Sequence, residues 1–344
     1  MAENYIARGE GESGRAGAAP ERSGAGSERA RVVFMGTPDF AVPTLEMLLD
    51  LHEVAAVFTQ PDRPAGRGRT PRQSPVKQLA LEHGVAVMQP TSLRKDPGAV
   101  AALRDLGADI VVVAAYGLLL PQDVLNATPG RAVNVHASLL PRWRGASPVN
   151  HAILEGDART GATIMLLDAG WDTGPILAQR GTTIGPDETA GELTDRLATL
   201  GADLLAETLP GWLSGAIDPL PQDDAAATLA PRLEKKDGCL DWRLPGAALA
   251  RRVRALQPWP GSFTTLPGGE RLKVHRATAI DEVDPGPPGL VVVSDDGLAV
   301  VAGRGLLRLD DVQAAGRRRV TGSEFARGRQ ALAGTVLPSC EPST

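Results

Sequence analysis

The chain has 344 residues, more than the about 250 to 300 that a single hydrophobic core usually fills, so two domains are expected. No apolar run approaches the roughly 18 residues needed to cross a membrane. The two cysteines, Cys239 and Cys340, have neither metal spacing nor a disulfide framework, so they are read as thiols in a reducing, cytoplasmic setting. The net charge of −5 argues against a nucleic-acid partner for the chain as a whole, yet it is unevenly spread: residues 230–344 carry 17 Lys and Arg against 13 Asp and Glu, and residues 30–229 carry 15 against 23. Phosphate contacts need local rather than total positive charge, so the C-terminal part is the one suited to a polyanion.

Residues 1–29 are rich in Gly, Ala, Ser, Glu and Arg without apolar periodicity and read as a disordered extension. Arg31 to Gly36 is a buried strand, a helix follows through Leu45, Leu48 and Leu49, and Val54 to Thr59 is a second strand. This β-α-β start points to a parallel sheet. Its turn has one glycine instead of Gly-x-Gly-x-x-Gly, which removes most support from a dinucleotide-dependent dehydrogenase. Gln60 to Lys77 holds five basic residues, one acidic residue, four prolines and two glycines, the composition of a long exposed loop at the sheet edge where open α/β folds place ligands. Ser74-Pro75 then opens a helix, serine as N-cap. His52 and His83, near element ends, are read as structural. Val85 to Met88 is a third strand, residues 97–106 a helix, and Asp109 to Ala115 an apolar strand buried on both faces.

Ala132 to His136 alternates, so Asn134 and His136 share one face of a strand. An amide that donates to a developing oxyanion, beside an imidazole that exchanges a proton near neutral pH, can act together on a carbonyl. Ser147-Pro148 is expected to cap a helix carrying His151 as a packing or surface residue. Two strands, Gly161 to Leu167 and Gly174 to Arg180, flank a loop with Asp168 and Asp172. A helix over 189–212 should close the first domain, and the Asp-, Pro- and Ala-rich stretch 215–230 reads as a linker. Beyond it come a helix over 247–256 and short strand patterns at 262–266, 271–276, 289–293, 297–302 and 305–309, which fit a small open barrel.

Asn134-x-His136, the Ser138-Leu-Leu-Pro141 loop and Asp172 within Leu166 to Gly174 together resemble the folate-dependent formyltransferases, from about residue 31 to about residue 335. That resemblance implies an α/β fold: a Rossmann-like formyltransferase domain with a parallel-rich sheet at 30–214, then an OB-like β-barrel that binds tRNA at 231–337 and a tail at 338–344. It implies Asn134, His136 and Asp172 as catalytic residues, with Asp168 left as a turn residue. Ser138, Leu139, Leu140 and Pro141 would hold the co-substrate 10-formyltetrahydrofolate, and no metal is called for. Tyr116 lies in a loop that helps wall the folate pocket in that family.

The resemblance further implies transfer of the formyl group to the α-amino group of methionine on initiator tRNA, by a cytoplasmic monomer. In the tRNA-acting branch a matching inserted loop reaches the acceptor end, which makes Arg67, with Arg63 and Arg69, the expected tRNA contacts. The roles of His136 and Asp172 are interchangeable at this level. A sibling acting on a small amine, a ribonucleotide or an amino sugar, stays open, although it would need neither the arginine loop nor the basic barrel. A folate-hydrolysing domain and a non-catalytic RNA-binding protein on the same scaffold stay open too, the latter opposed by the intact Asn134, His136 and Asp172.

Overall fold

The computed structural model describes residues 4–6, 29–65, 70–281, 286–294 and 297–340. The chain forms two compact units. The first comprises Met1–Arg144, Thr160–Thr182 and Thr194–Leu229. Its sheet has eight strands in the order Asn4–Ile6, Ile176–Thr183, Arg159–Leu166, Ala132–His136, Ile110–Ala114, Arg31–Gly36, Glu53–Phe58 and Val87–Met88. Ala132–His136 pairs in parallel with Ile110–Ala114, which pairs with Arg31–Gly36, then Glu53–Phe58, then Val87–Met88. Ile110–Ala114 is buried at every residue because helices cover both faces. Val32, Phe34, Ile110, Val112, Val133 and Val135 meet the long helix Ala190–Leu213 through Leu204, Leu205 and Leu209. Val33, Met35, Val111, Val113 and Ala132 face the opposite core with Leu103 and Tyr116. The expected α/β class and parallel-rich sheet are both present.

Asn4–Ile6 pairs antiparallel with Ala178, Gln179 and Arg180, although all of 1–29 was expected to be disordered. The open edge of Ile176–Thr183 offers unpaired backbone groups that a short segment can join regardless of its side chains. Residues 1–3 and 7–28 lie outside the described residues. The expected loop after Gln60 is an antiparallel ribbon, Arg63–Ala65 against Thr70–Arg72, with Pro64 opposite Pro71. A two-stranded ribbon leaves outward backbone positions where a missing N–H costs nothing. Its base is tied by Thr59 Oγ1 to Ser74 Oγ at 2.8 Å and by Lys77 Nζ to Asp62 at 2.7 Å and Gln89 at 2.8 Å. Ser74 caps the helix Pro75–Glu82 by accepting from the Lys77 amide. Ser147 precedes the helix Pro148–Glu155 without a side-chain cap bond, a correction to the expected capping role.

The second unit comprises Gly145–Arg159, Thr183–Leu193 and Ala230–Thr344. By contacts, residues 215–229 group with the first unit, and Gly145–Arg159 and Thr183–Leu193 group with the second. Asn150 donates to the Ala255 carbonyl, Arg251 to that of Leu154, and Arg254 to those of Gly185 and Glu188, which draws two early segments into the C-terminal unit. Its antiparallel sheet runs Ser262–Thr265, Arg271–Ile280, Leu306–Ala314, Gly297–Val301, Val291–Ser294, with Val320–Thr321 added to Leu306–Ala314. The ends of this order are not joined among the described residues, as in an open, OB-like barrel. Trp242 is fully buried at the centre with Leu249 and Val253 of the helix Gly246–Ala255 and with Leu272, Val274, Val300 and Leu307.

Cys239 and Cys340 are joined by a disulfide, which corrects their reading as free thiols. They are 101 residues apart in sequence, and their Cα atoms lie 5.9 Å apart because the segment ending at Cys340 returns alongside Leu240 to Arg243. Buried Leu337 anchors that segment, and the Ser339 hydroxyl accepts from the Trp242 amide. Closing so long a loop removes entropy from the unfolded chain. Cys340→Ser is therefore expected to destabilise the second unit by about 2–4 kcal/mol under oxidising conditions and to change nothing in reductant. Denaturant unfolding with and without dithiothreitol measures the difference.

Candidate active site

Ala132–His136 lies between a parallel neighbour, Ile110–Ala114, and an antiparallel one, Arg159–Leu166. Asn134 is in register with Val113 and with Met165, and His136 with Thr163. Val133 and Val135 enter one core, so the alternation turns Asn134 and His136 to the other face, where both are buried.

The chain after His136 folds back on itself. The Ser138 hydroxyl donates to the Arg142 carbonyl at 2.6 Å, and the Leu140 amide donates to Thr163 Oγ1 at 3.2 Å. Thr163 Oγ1 in turn donates to the Ser138 carbonyl at 2.6 Å, while Gln179 Nε2 donates to the Leu140 carbonyl at 2.7 Å. Ser138 is fully buried and Leu140 nearly so. The turn is thus built from its own polar groups, and the Ser138 hydroxyl braces it. This fold-back carries the Trp143 carbonyl to 3.0 Å from His136 Nε2. A carbonyl only accepts, so Nε2 is the protonated nitrogen and Nδ1 is the one left to work.

Nδ1 faces Asp172 Oδ2 at 3.7 Å. Asp172 sits in the loop between Arg159–Leu166 and Ile176–Thr183, with φ of 54°, a left-handed conformation that aspartate tolerates better than most residues. Asp168 organises that loop from within, accepting from the Gly170 amide at 3.0 Å and from Thr173 Oγ1 at 2.8 Å. Asp168 is a turn residue, and Asp172 is the acid brought to the imidazole. With Nε2–H given to Trp143, a neutral His136 turns a lone pair on Nδ1 toward a carboxylate. Two acceptors face each other, and the space between them is a place for a proton.

Tyr116 packs in the core: its hydroxyl is buried without a hydrogen-bond partner and burial pushes its ionisation far above the ordinary phenol range. Only its carbonyl is used, accepting from Thr37 and Gln60. Arg63 is exposed and donates to Gln60 Oε1 at 2.7 Å. Arg67 and Arg69 lie outside the described residues. Sequence reasoning missed Thr163, Gln179, the Trp143 carbonyl, Arg144, Gln222 and Thr228. No local pattern marks them: Trp143 acts through its backbone carbonyl, and the others bond backbone or side chains distant in sequence. Among the described residues no group of three or more His, Cys, Asp or Glu could hold a metal ion, and no helix is long and apolar enough to cross a membrane.

The Formyl transferase family model matches residues 30–209, which include Asn134, His136 and Asp172, and the Formyl transferase, C-terminal domain model matches 232–330. The chain belongs to the formyl transferase family. Within that family it is 49% identical over 308 residues to the methionyl-tRNA formyltransferase of Myxococcus xanthus strain DK1622, covering 89% of this chain and 97% of that one. It is 50% identical over 301 residues to the methionyl-tRNA formyltransferase of Solibacter usitatus strain Ellin6076, covering 87% and 96%. Among solved structures, the N-formyltransferase from Helicobacter canadensis, in complex with folinic acid and dTDP-3-aminofucose, superposes with a TM-score of 0.62 at 16% identity, covering 84% of this chain and 100% of that one. HypX from Aquifex aeolicus in complex with tetrahydrofolic acid gives 0.58 at 17% identity, covering 89% and 48%. At such identities these two establish likeness of fold.

Proposed function

We propose that this chain transfers the formyl group of 10-formyltetrahydrofolate to the α-amino group of methionine on initiator tRNA, yielding formylmethionyl-tRNA for translation initiation. The observation that carries the reading is the buried His136 whose Nε2 is committed to the Trp143 carbonyl and whose Nδ1 meets Asp172 at 3.7 Å. Relatives at 46–50% identity over most of the chain bear the name methionyl-tRNA formyltransferase, which supports the acceptor. The cytoplasm is the place where such substrates meet.

An α-amino group has an ordinary pKa of about 8, so at neutral pH much of it is protonated and not nucleophilic. The His136–Asp172 pair takes the amine's proton. The freed lone pair attacks the formyl carbon, and the carbonyl oxygen becomes an oxyanion that the Asn134 amide stabilises by hydrogen bonding. The attacking nitrogen, cationic once bonded to carbon, gives its second proton to solvent, and collapse breaks the bond from the formyl carbon to folate N10 as the pair returns the first proton to the leaving nitrogen. The co-substrate is held at the turn Ser138, Leu139, Leu140 and Pro141, with buried Ser138 and Leu140 bracing the turn while half-buried Leu139 and Pro141 offer apolar surface.

The acceptor end of the tRNA meets the arginine-rich segment that holds Arg63, Arg67 and Arg69, since guanidinium groups match phosphate and stack on bases. The working enzyme is a monomer, with a catalytic domain over 30–214 and a tRNA-binding domain over 231–337. The reading is tested by formyl transfer to methionyl-initiator tRNA, beside free methionine, glycinamide ribonucleotide and a nucleotide-linked amino sugar. Transfer to the charged tRNA alone is expected; transfer only to a small amine would overturn the acceptor and keep the chemistry. Arg67→Ala is expected to raise KM for the tRNA by about tenfold while leaving KM for the folate unchanged, in line with loss of one charge-assisted contact.

A further inference from the structure

The stretch read as a linker, 215–230, does not run free. Ile217 is buried in the core of the first unit. Leu220 exchanges both backbone hydrogen bonds with Ile176, each at 2.8 Å. Gln222 Nε2 then donates to two carbonyls of the Asp172 loop, Asp172 O at 2.9 Å and Gly174 O at 2.7 Å. Gln222 Oε1 accepts from Arg144 Nε at 2.9 Å, and Arg144, whose side chain is only 7% exposed, also reaches Asp224 at 2.8 Å. The amide's orientation is set by these partners, because turned over it would point oxygen at two carbonyls and NH2 at a guanidinium.

Six residues further on, Thr228 holds the other catalytic segment. Its Oγ1 accepts from the Trp143 amide at 2.9 Å, its carbonyl accepts from the Arg144 amide at 2.9 Å, and its amide donates to the Pro141 carbonyl at 3.3 Å. One strap therefore touches both halves of the site. At Gln222 it pins the carbonyl of the residue that carries the Asp172 carboxylate in a left-handed conformation. At Thr228 it pins the residue whose carbonyl orients His136. The two family matches end at 209 and begin at 232, so neither covers it.

We infer that residues 217–228 form a strap that sets the distance between His136 and Asp172, with Gln222 and Thr228 as positioning residues. The strap touches neither reacting atom nor substrate in this role; it acts through the two side chains it holds. The inference rests on the proposed transfer reaction for its kinetic test and not for its structural one.

Gln222→Met removes both donors at similar length, and Thr228→Val removes the hydroxyl at equal size. Each is expected to lower the turnover number for formyl transfer by about 10- to 100-fold, the order of loss from a misplaced catalytic group, with both KM values within about twofold. In an Asp172→Asn background the Gln222→Met change should cost less than about threefold more, since it works through Asp172. The readout that needs no substrate is NMR titration of the His136 imidazole, whose midpoint should move in Gln222→Met in the same direction as in Asp172→Asn. Full multiplicative loss in the double variant, or an unmoved titration, would overturn the strap. If Gln222→Met does not fold, Gln222→Glu keeps the acceptor for Arg144 and still lacks the donors, and is read by the same turnover, KM and double-variant criteria. If the parent enzyme transfers nothing to charged tRNA, the acceptor reading fails and the imidazole titration still decides the strap.

Discussion

His136→Ala is expected to reduce the turnover number for formyl transfer by about 10³-fold or more, with affinity for charged tRNA within about twofold of the parent. The size follows from the number of tasks lost together. The imidazole supplies the nitrogen that faces Asp172, and its Nε2–H ties the ring to the Trp143 carbonyl. Without it the amine must deprotonate to solvent, and the leaving nitrogen must find its proton there too. Asn134→Ala should cost less, about 10²- to 10³-fold, because it removes one donor to the oxyanion and leaves proton transfer intact. Steady-state kinetics with both substrates varied, together with tRNA binding by filter retention, measure both. An Asn134→Ala loss exceeding that of His136→Ala would mean that charge stabilisation, not proton transfer, limits the rate.

The apolar run of Ile110–Ala114 and the alternation of Ala132–His136 are visible in residue order, because burial on two faces and on one face select different residue types. From them followed the parallel core of the sheet and the pairing of Asn134 with His136 on one face. Gly, Pro and Asp composition misled twice, once at the ribbon after Gln60 and once at the strap before Ala230. In both, exposed irregular chain is held by hydrogen bonds to partners up to 85 residues away, and such bonds leave no periodicity. The disulfide across 101 residues is the extreme case: two cysteines without spacing meaning in sequence are neighbours once the C-terminal segment docks beside Leu240. The carboxylate itself was legible only through its resemblance to a family motif. Asp168 and Asp172 differ in role because of a turn that Thr173 and Gly170 close around Asp168.

Gly174→Ala is the change expected to damage stability and turnover together. A methyl group at Gly174 would meet the carbonyl oxygen of Leu166 well inside van der Waals contact, with the Leu166 carbonyl carbon at 2.9 Å and Met165 Cε at 3.4 Å. Leu166 is the last residue of the strand paired with Ala132–His136, and its amide donates to the Pro175 carbonyl at 2.9 Å. Backbone faces backbone here, so relief requires the two strands to part, at a cost of about 1–3 kcal/mol by analogy with overpacked cores. The Gly174 carbonyl is also one of the two held by Gln222, so the same displacement pulls at the strap and at Asp172 two residues earlier. Turnover should fall by about 10²-fold as the carboxylate leaves its place opposite His136. Gly170→Ala is the matched control: its methyl would meet the Thr173 side chain, which can rotate away by giving up its bond to Asp168. Urea midpoints and turnover measured on both variants should show Gly174→Ala failing in each and Gly170→Ala in neither beyond about threefold and about 1 kcal/mol. Parent-like turnover in Gly174→Ala would mean that the place of Asp172 is not set by the packing of its loop against Leu166.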